Sequence, residues 1–379
     1  MYSIDNKQTY NNKIFDRNFV YNKGEFNVLD DRIITNNDLI NDEKSNNNIL
    51  NNRIFDINYS SNTLDVEDYF RNINRQNFDG KNDKMISSTN NKLIKFNNHI
   101  INKMIIFYQY YMSNKIFGCS TFYLLIIMSI LSNIIKNVNE EIDNYKIDDI
   151  MDLFNKINNK NIDIENNFFL KDKIKELNIF NNFGNILYNK DNNIITNTIT
   201  FTGNLKIKFS KKYTIKKDFY NLVDSVKIDT MHAFNVLVPY YENDRYQIIE
   251  LPYENDLFVL GIVVYSLYND NEILIPPHID YVNKFQNKNI NIQIPKFKIK
   301  SKINLNKFIE TIDMGKVFNN NKFNINGFIQ KININLTDTS DEINEKITNI
   351  DTFIANNSFT FYIRYVPDNN IILQGIFSI

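Results

Sequence analysis

The longest apolar stretch of the chain covers residues 116–135, which carry no charge and lie between Lys115 and Lys136. A helix of that length can span a bilayer. Small or polar residues occupy both ends of the stretch, at 118–121 and 129–133, and a protein interior can hydrogen-bond them whereas lipid cannot. No second stretch of comparable length is present. The pattern therefore favours a buried central helix, with a membrane span as the alternative.

Other segments show either a helical or a two-residue period. Helices are predicted at residues 93–114, 146–157, 169–180 and 305–318. Strands are predicted at residues 194–201, 205–209, 232–241, 245–253, 257–268, 290–303, 328–336, 359–366 and 371–377. Helices thus come first and mainly antiparallel strands follow, which is the order of an α+β protein.

The N-terminal quarter of the chain differs from the rest. Residues 1–95 are rich in Asn and Asp, show no sustained period, and include the low-complexity segment 36–52. Such a segment buries too little apolar surface to fold alone. We therefore expect 1–95 to be an extension, disordered or loosely attached, and 96–379 to be one folded domain. The start of the chain has no apolar segment behind a basic one, so we expect no secretory signal and a cytoplasmic location.

Composition narrows the choice of partners. Apolar residues make up 43% of the 379 residues and aromatic residues 14%, enough for a sizeable core. The net charge of −1 gives no electrostatic reason to expect nucleic acid or an anionic membrane as a partner. Asn, Ile, Lys, Tyr and Phe dominate, and their codons are A/T-rich. This bias indicates an A/T-rich genome, such as that of a large DNA virus or an intracellular parasite.

The residues that usually carry chemistry are few. The histidines are His99, His232 and His278, and none has a partner at metal-ligand spacing or a nucleophile motif beside it. The glycines form no phosphate-binding pattern. The single cysteine, Cys119, lies in the apolar stretch and is expected to be a small buried residue. The sequence therefore predicts no catalytic residue, no metal and no cofactor.

Five short motifs follow one another in the second half of the chain. Residues 195–203 correspond to the motif L-V-N-A-I-Y-F-K-G, 250–253 to E-L-P-Y, 294–299 to L-P-K-F-K-I, 314–318 to the helix end G-M-T-D-A-F, and 359–378 to F-x-F-x-I-R-x-x-P…G-x-F-S. Each motif is weak alone, but together they resemble, in type and order, those of the serpin family. The resemblance implies a monomeric serpin-like fold in which a central helix, here 119–135, packs behind the main sheet.

The resemblance also implies a mechanism. Members that inhibit serine or cysteine proteases offer an exposed reactive loop, which is cut and then inserts into the central sheet with the protease attached. Carried over, the base of the loop is Asp338, and the scissile bond follows Ile347 or Ile354, depending on the strand from which it is counted. The other loop positions are Ser340, Asp341, Glu342, Ile343, Glu345 and Lys346.

A second group of positions corresponds to the region where the family's sheet opens. It consists of Gly118, Thr121, Asn197 and Gln330. Gln330 replaces a histidine of the family, and Leu205 stands where the family has a tryptophan. These departures lead us to expect that loop insertion is impaired. The chain between the central helix and Asn197 is also short, so we expect one or two helices to be missing or reduced there, with an edge strand as a further candidate.

The loop departs from the family as well. An inserted strand would turn Asp341 and Glu345 toward the core, and a buried unpaired carboxylate costs several kcal/mol. Counting from the two flanking strands places the scissile bond after different residues, Ile347 or Ile354, because the loop is shorter than in the family. The favoured hypothesis is therefore a degenerate serpin that binds a protease or another host protein without trapping it. The alternatives are an active protease inhibitor and a membrane protein anchored through residues 116–135.

Overall fold

Helices precede strands in the chain, as the hydrophobic pattern predicts. The computed structural model describes residues 89–112, 116–135, 146–158, 161–171, 180–220, 224–266, 279–312, 325–338 and 350–379. All of them belong to one compact unit, Gly80–Ile379. Most of the expected extension, residues 1–88, lies outside the described residues, as do residues 339–349 of the predicted loop.

Four α-helices are described, and the central one is buried. They are α1 (Thr89–Met112), α2 (Thr121–Ile135), α3 (Ile147–Ile157) and α4 (Asn306–Thr311). Every side chain of residues 121–132 on α2 is buried, and α2 contacts α1, α3 and the C-terminal strand. The prediction of a buried central helix is therefore confirmed. Among the described helices, none combines the length and apolarity needed to cross a membrane. The boundary expected after residue 95 falls inside α1.

The strands form two sheets. Their bounds are β1 (Phe117–Cys119), β2 (Ile162–Leu170), β3 (Asn185–Tyr188), β4 (Ile194–Phe201), β5 (Ile215–Tyr220), β6 (Ser225–Glu242), β7 (Tyr246–Pro252), β8 (Phe258–Tyr265), β9 (Gln286–Pro295), β10 (Phe297–Asn304), β11 (Gly327–Leu336), β12 (Thr352–Ile354), β13 (Phe359–Tyr365) and β14 (Asn370–Phe377). The nine-stranded sheet has the order β1-β14-β13-β8-β7-β6-β9-β12, with β5 paired to β6. The five-stranded sheet has the order β10-β11-β4-β2-β3. The α+β prediction is confirmed, and most pairs are antiparallel.

The start of the apolar stretch is not helical. Gly118 lies in β1, which pairs antiparallel with β14 opposite Gly375. A Cβ at Gly375 would stand 2.3 Å from the carbonyl oxygen of Phe117 and 2.5 Å from the ring of Phe361, so only glycine fits there. The helix begins after Ser120, whose hydroxyl accepts a 3.4 Å hydrogen bond from the amide of Tyr123 as an N-cap. The prediction of one helix from residue 116 or 119 is wrong at this end.

Three other sequence predictions differ from the structure. The helix expected at 169–180 begins instead with the end of β2, where buried and half-buried side chains alternate from Asn166 to Leu170; residues 172–179 lie outside the described residues. The strand expected at 205–209 is reduced to an isolated bridge between Leu205 and Tyr253. The single strand expected at 290–303 is two strands in different sheets, because the chain crosses between the sheets at Lys296. The edge strand expected to be lost or reduced is present as β3, with 4 residues.

Candidate functional site

A parallel pair of strands lies at the middle of the five-stranded sheet. β4 and β11 are in direct register from Ile194 opposite Gly327 to Phe201 opposite Ile334. β11 ends two residues before Asp338, the predicted base of the loop. β11 lies between β10 and β4, so a loop strand that enters the sheet on the β4 side of β11 must part this parallel pair. In this structure the pair is closed.

Three buried amide side chains join the strands across this closed pair. Gln330 of β11, Asn197 of β4 and Asn166 of β2 lie directly opposite one another in register. Gln330 Nε2 donates to Asn197 Oδ1 at 2.9 Å, and Asn197 Nδ2 donates to Asn166 Oδ1 at 2.7 Å. Asn166 Nδ2 completes the row by donating to the carbonyl oxygen of Phe183 at 2.8 Å. We call these three residues the amide chain.

The amide chain is tied to the start of α2. The backbone amide of Ser120 donates to Gln330 Oε1 at 2.7 Å, and Gln330 Nε2 also donates to the carbonyl oxygen of Ser120 at 2.9 Å. Gln330 is fully buried, so these bonds satisfy backbone groups that water cannot reach. The glutamine therefore makes a complete set of bonds at this position, and its uncharged amide makes them independent of pH.

Polar groups continue from the start of α2 toward the nine-stranded sheet. Thr121 Oγ1 donates to Asn97 Oδ1 of α1 at 2.5 Å, and Ser120 Oγ donates to the carbonyl oxygen of Ile372 at 2.5 Å. Asn97 Nδ2 donates to Asn370 Oδ1 at 2.8 Å and to the carbonyl oxygen of Ile371 at 2.7 Å. The start of α2 thus fixes α1, β14 and β11 to one another.

Gly118 marks a close approach between the two sheets. Its amide donates to Ser301 Oγ of β10 at 3.2 Å, and Ser301 Oγ donates back to the Gly118 carbonyl oxygen at 2.6 Å. A Cβ at Gly118 would stand 3.2 Å from Cγ2 of Ile332 on β11. β1 therefore holds the back of the five-stranded sheet against the nine-stranded one.

Asp338 is anchored where the loop leaves β11. Lys296 Nζ lies 3.0 Å from Asp338 Oδ1, and Thr214 Oγ1 donates to Asp338 Oδ2 at 2.7 Å. Burial raises the pKa of the Asp338 carboxyl, but the hydrogen bonds from Thr214 and Lys296, together with the lysine's charge, outweigh burial and lower it overall. Since Lys296 is the crossover between β9 and β10, this contact ties the loop base to both sheets.

A cavity of about 300 Å³ opens beside this anchor, where β4 and β11 cease to pair. We call it the entrance cavity. Its apolar wall is made by buried side chains, and a polar rim surrounds the opening. The lining comprises Thr200, Phe201, Thr202, Gly203, Asn204, Leu205, Ile207, Phe209, Lys298, Ile299, Asn333, Ile334, Asn335, Leu336 and Thr337. Leu205, at the position of the family's tryptophan, is part of the wall.

A charged cluster lies in the nine-stranded sheet. Glu250 of β7 accepts hydrogen bonds from Arg364 Nε at 2.9 Å and from Tyr362 OH at 2.9 Å, and it forms a second bond with Arg364 Nη2. Arg364 Nη1 also donates to Asn369 Oδ1 at 2.8 Å. Burial and the Glu250 charge raise the pKa of Tyr362. The intervening residue of β8 is Gly261, where a Cβ would stand 2.0 Å from the Tyr362 ring.

The predicted site residues fall into two groups. Gly118, Thr121, Asn197 and Gln330 lie around the start of α2 and the β4–β11 pair, and Asp338 follows at the end of β11. Ile354 ends β12, which pairs parallel with β9 in the other sheet. The remaining loop positions, Ser340, Asp341, Glu342, Ile343, Glu345, Lys346 and Ile347, lie outside the described residues. Whether any of these positions acts in function stays a prediction.

The sequence did not single out several partners in this region. Asn166, Ser120, Asn97 and Lys296 all bond to predicted residues over long sequence separations. Asn166 could have been suspected as the one polar residue on a strand face that is otherwise apolar, but asparagine is common throughout the chain. Within the described ranges, no three His, Cys, Asp or Glu side chains meet as metal ligands. Burial raises the pKa of the Cys119 thiol far above its usual value.

Comparisons with known proteins agree with this geometry. A family model described as Serpin (serine protease inhibitor) matches residues 164–378. A serpin-like protein, R700, of Acanthamoeba polyphaga mimivirus is 26% identical over 219 residues, which cover 49% of this chain and 54% of that protein. The human leukocyte elastase inhibitor is 23% identical over 227 residues, covering 49% and 58%. The chain thus spans about half the length of the curated relatives it matches.

Solved structures extend the likeness of fold beyond the matched region. Native protease nexin-1 with heparin superimposes with a TM-score of 0.65 at 13% identity, covering 76% of this chain and 99% of that chain. Uncleaved ovalbumin gives a TM-score of 0.62 at 12% identity, covering 77% and 99%. The family model covers more than half of the chain, and the motifs of the second half meet in the two sheets described above: the chain belongs to the serpin family.

Proposed function

We propose that this protein binds a protease or another host protein, as a monomer, and does not trap proteases by loop insertion. Serpins generally bind proteases, and a relative of this chain comes from a virus, which supports a host protein as the partner. The observation that carries the proposal comes from the sequence: two acidic residues, Asp341 and Glu345, occur in the predicted loop.

The inward face of an inserted loop strand follows from its residue pattern. Side chains alternate along a strand, so Ile343 and Ile347 share a face with Asp341 and Glu345, while the opposite face is entirely polar. The two isoleucines select the first face as the inward one. Insertion therefore turns both carboxylates toward the interior of the protein, behind the sheet.

The interior that would receive them is apolar. The neighbouring buried side chains on β11 and β4 are Ile332, Ile334, Ile199 and Phe201, and none is basic. Each unpaired carboxylate costs several kcal/mol after relaxation, or it enters protonated at a similar cost near neutral pH. Two such groups offset most of what one added strand contributes.

The length of the loop is a second reason to expect that it does not insert fully into the sheet. β11 has 10 residues. If the scissile bond follows Ile347, residues 339–347 must both make the turn and run beside β11, and they are too few to reach its far end. A protease attached to the cut end would remain near the loop side of the sheet.

The amide chain does not carry the proposal. Its bonds are uncharged, and exchanging neutral hydrogen bonds changes stability by only about 0.5–1.5 kcal/mol each. A closed β4–β11 pair held by such bonds is compatible with opening. The ease of opening supports a second candidate function, an active inhibitor of a serine or cysteine protease. That function requires the cut loop to fit into the sheet as a strand.

Cleavage of the loop separates the two candidates. Trypsin can cut after Lys346, and mass spectrometry identifies the product. We expect cleaved and intact protein to melt within a few degrees of each other, and no complex with serine or cysteine proteases to survive SDS. Protease with a chemically blocked active site serves as the control. A cleaved form that melts tens of degrees higher, or a band at the summed mass, would establish the inhibitor instead.

A further inference from the structure

The entrance cavity has the size and wall of a small-molecule site. Its volume of about 300 Å³ is at the lower end of the range for ligand pockets. Leu205, Phe209, Ile334 and Leu336 line it and are each almost fully buried, at 2–6% exposure. The cavity is open to solvent on one side, so a ligand can lie against the wall without being enclosed. The wall therefore suits the face of one or two fused aromatic rings.

The rim adds a positive charge at one side. Lys298 lines the cavity, is exposed, and forms no ion pair with another residue in the described part of the chain. The nearest acidic group along the chain is Asp338, which follows the lining residue Thr337 and is already paired with Lys296. The cavity thus offers one available cation beside an apolar wall.

We propose that the entrance cavity binds a small aromatic carboxylate, with its rings against Leu205 and Phe209 and its carboxylate at Lys298. A bound ligand contacts the ends of β4, β10 and β11 together. It therefore stabilises the closed β4–β11 pair. The site does not depend on how the loop acts, and it involves no covalent step.

The test uses the full chain and two probes of equal shape, 1-naphthylacetate and the neutral 1-naphthylacetamide, measured by titration calorimetry. We expect saturable 1:1 binding of the acid, a rise in melting temperature, and about two- to fivefold tighter binding of the acid than of the amide, which is the gain typical of an ion pair at an exposed lysine. Lys298→Met should remove this preference and leave binding of the amide unchanged. Lys300→Met is the matched control, because Lys300 is exposed on the same strand but does not line the cavity.

A second variant tests the apolar wall. Leu205→Trp should fill the cavity and abolish binding of both probes; Ile207→Trp, at a half-buried lining position, replaces it if that variant does not fold. Absence of saturable binding to the wild-type chain would overturn the proposal. So would equal effects of Lys298→Met and Lys300→Met, or unchanged binding in a folded variant with a filled cavity. None of these measurements involves a protease, so the outcome is independent of the proposed function.

Discussion

In the nine-stranded sheet a charged cluster joins β7 to β13, whereas in the five-stranded sheet an uncharged amide chain joins β11, β4 and β2. Both are buried and hydrogen-bonded. They differ in what happens when a bond is broken: separating Glu250 from Arg364 leaves an uncompensated buried charge, whereas separating Gln330 from Asn197 leaves neutral groups that can find other partners.

The strand pairing around the two clusters differs as well, and it is weaker around the amide chain. The charged cluster crosses three antiparallel strands, β7, β8 and β13. The amide chain crosses the parallel pair β4–β11, and parallel pairing is slightly weaker per residue. Under the proposed function, the nine-stranded sheet is the fixed support and the five-stranded sheet is the one that would have to part. The proposed obstacle to insertion is then the loop, whereas the sequence led us to expect an obstacle at Gln330 as well.

The largest expected effect comes from the charged cluster. Glu250→Gln keeps the shape of the side chain but leaves Arg364, whose side chain is 5% exposed, without a counter-charge. We expect the free energy of unfolding to fall by about 3–5 kcal/mol in urea titrations at neutral pH. The double variant Glu250→Gln with Arg364→Met should recover most of that loss. A double variant as unstable as the single one would show that the strands depend on the ion pair itself.

Gln330→Leu should have the next largest effect. It removes the hydrogen bonds that Gln330 makes to the backbone amide and carbonyl of Ser120 and to the side-chain oxygen of Asn197, at about 2–4 kcal/mol after relaxation. Asn333→Leu is the control on the same strand, because Asn333 is half-buried and makes one 3.2 Å bond to Thr200. Equal decreases in the free energy of unfolding for the two variants would show that the amide chain stabilises the fold no more than the single hydrogen bond of Asn333 does.

Gln330→His, on the same position, tests the pH independence of the amide chain. Burial lowers the pKa of a histidine, so its contribution should be complete above the ordinary pKa of about 6.5 and lost as the pH falls through the lower folded value. Between pH 7 and pH 5, the melting temperature of the variant should therefore fall by more than that of the wild-type chain. Identical pH profiles of melting temperature would contradict this reading.

How far the sequence predicts these clusters depends on the distance between partners. Alternation located β4 and β11, and the motifs placed Asn197 and Gln330 in them. The partners Asn166 and Ser120 were missed, because hydrogen bonds between residues far apart leave no periodic signal. Likewise, unbroken alternation through residues 290–303 did not show that the chain changes sheet, although Pro295 stands at the change. A pattern reports which face is buried but not the sheet to which that face belongs.

A smaller effect is expected at the base of the loop. Because the pKa of Asp338 is lowered in the folded protein, its contribution is complete above the ordinary carboxyl pKa of 3.8 and is lost as the pH falls through the lower folded value. Asp338→Asn should therefore cost about 1–2 kcal/mol at pH 7, and the difference from wild type should vanish in strong acid. Asp351→Asn, which breaks the exposed pair with Lys288, is the control with almost no effect.

The smallest effect is expected from repairing the loop alone. Asp341→Ala with Glu345→Ala removes both carboxylates that insertion would bury, so the cleaved form of this variant should melt a few degrees above its intact form. It should still form no SDS-stable complex, because residues 339–347 remain too few to carry a protease along the 10 residues of β11. Glu342→Ala with Asn344→Ala, on the outward face, is the matched control; it keeps the trypsin site at Lys346 and should change neither measurement. If the first pair alone gave a covalent complex, the carboxylates would be the whole obstacle, and loop length would not matter. If neither double variant changed the melting temperature of the cleaved form, something within the sheet would keep β4 and β11 together. The five-stranded sheet would then not be the one that parts easily.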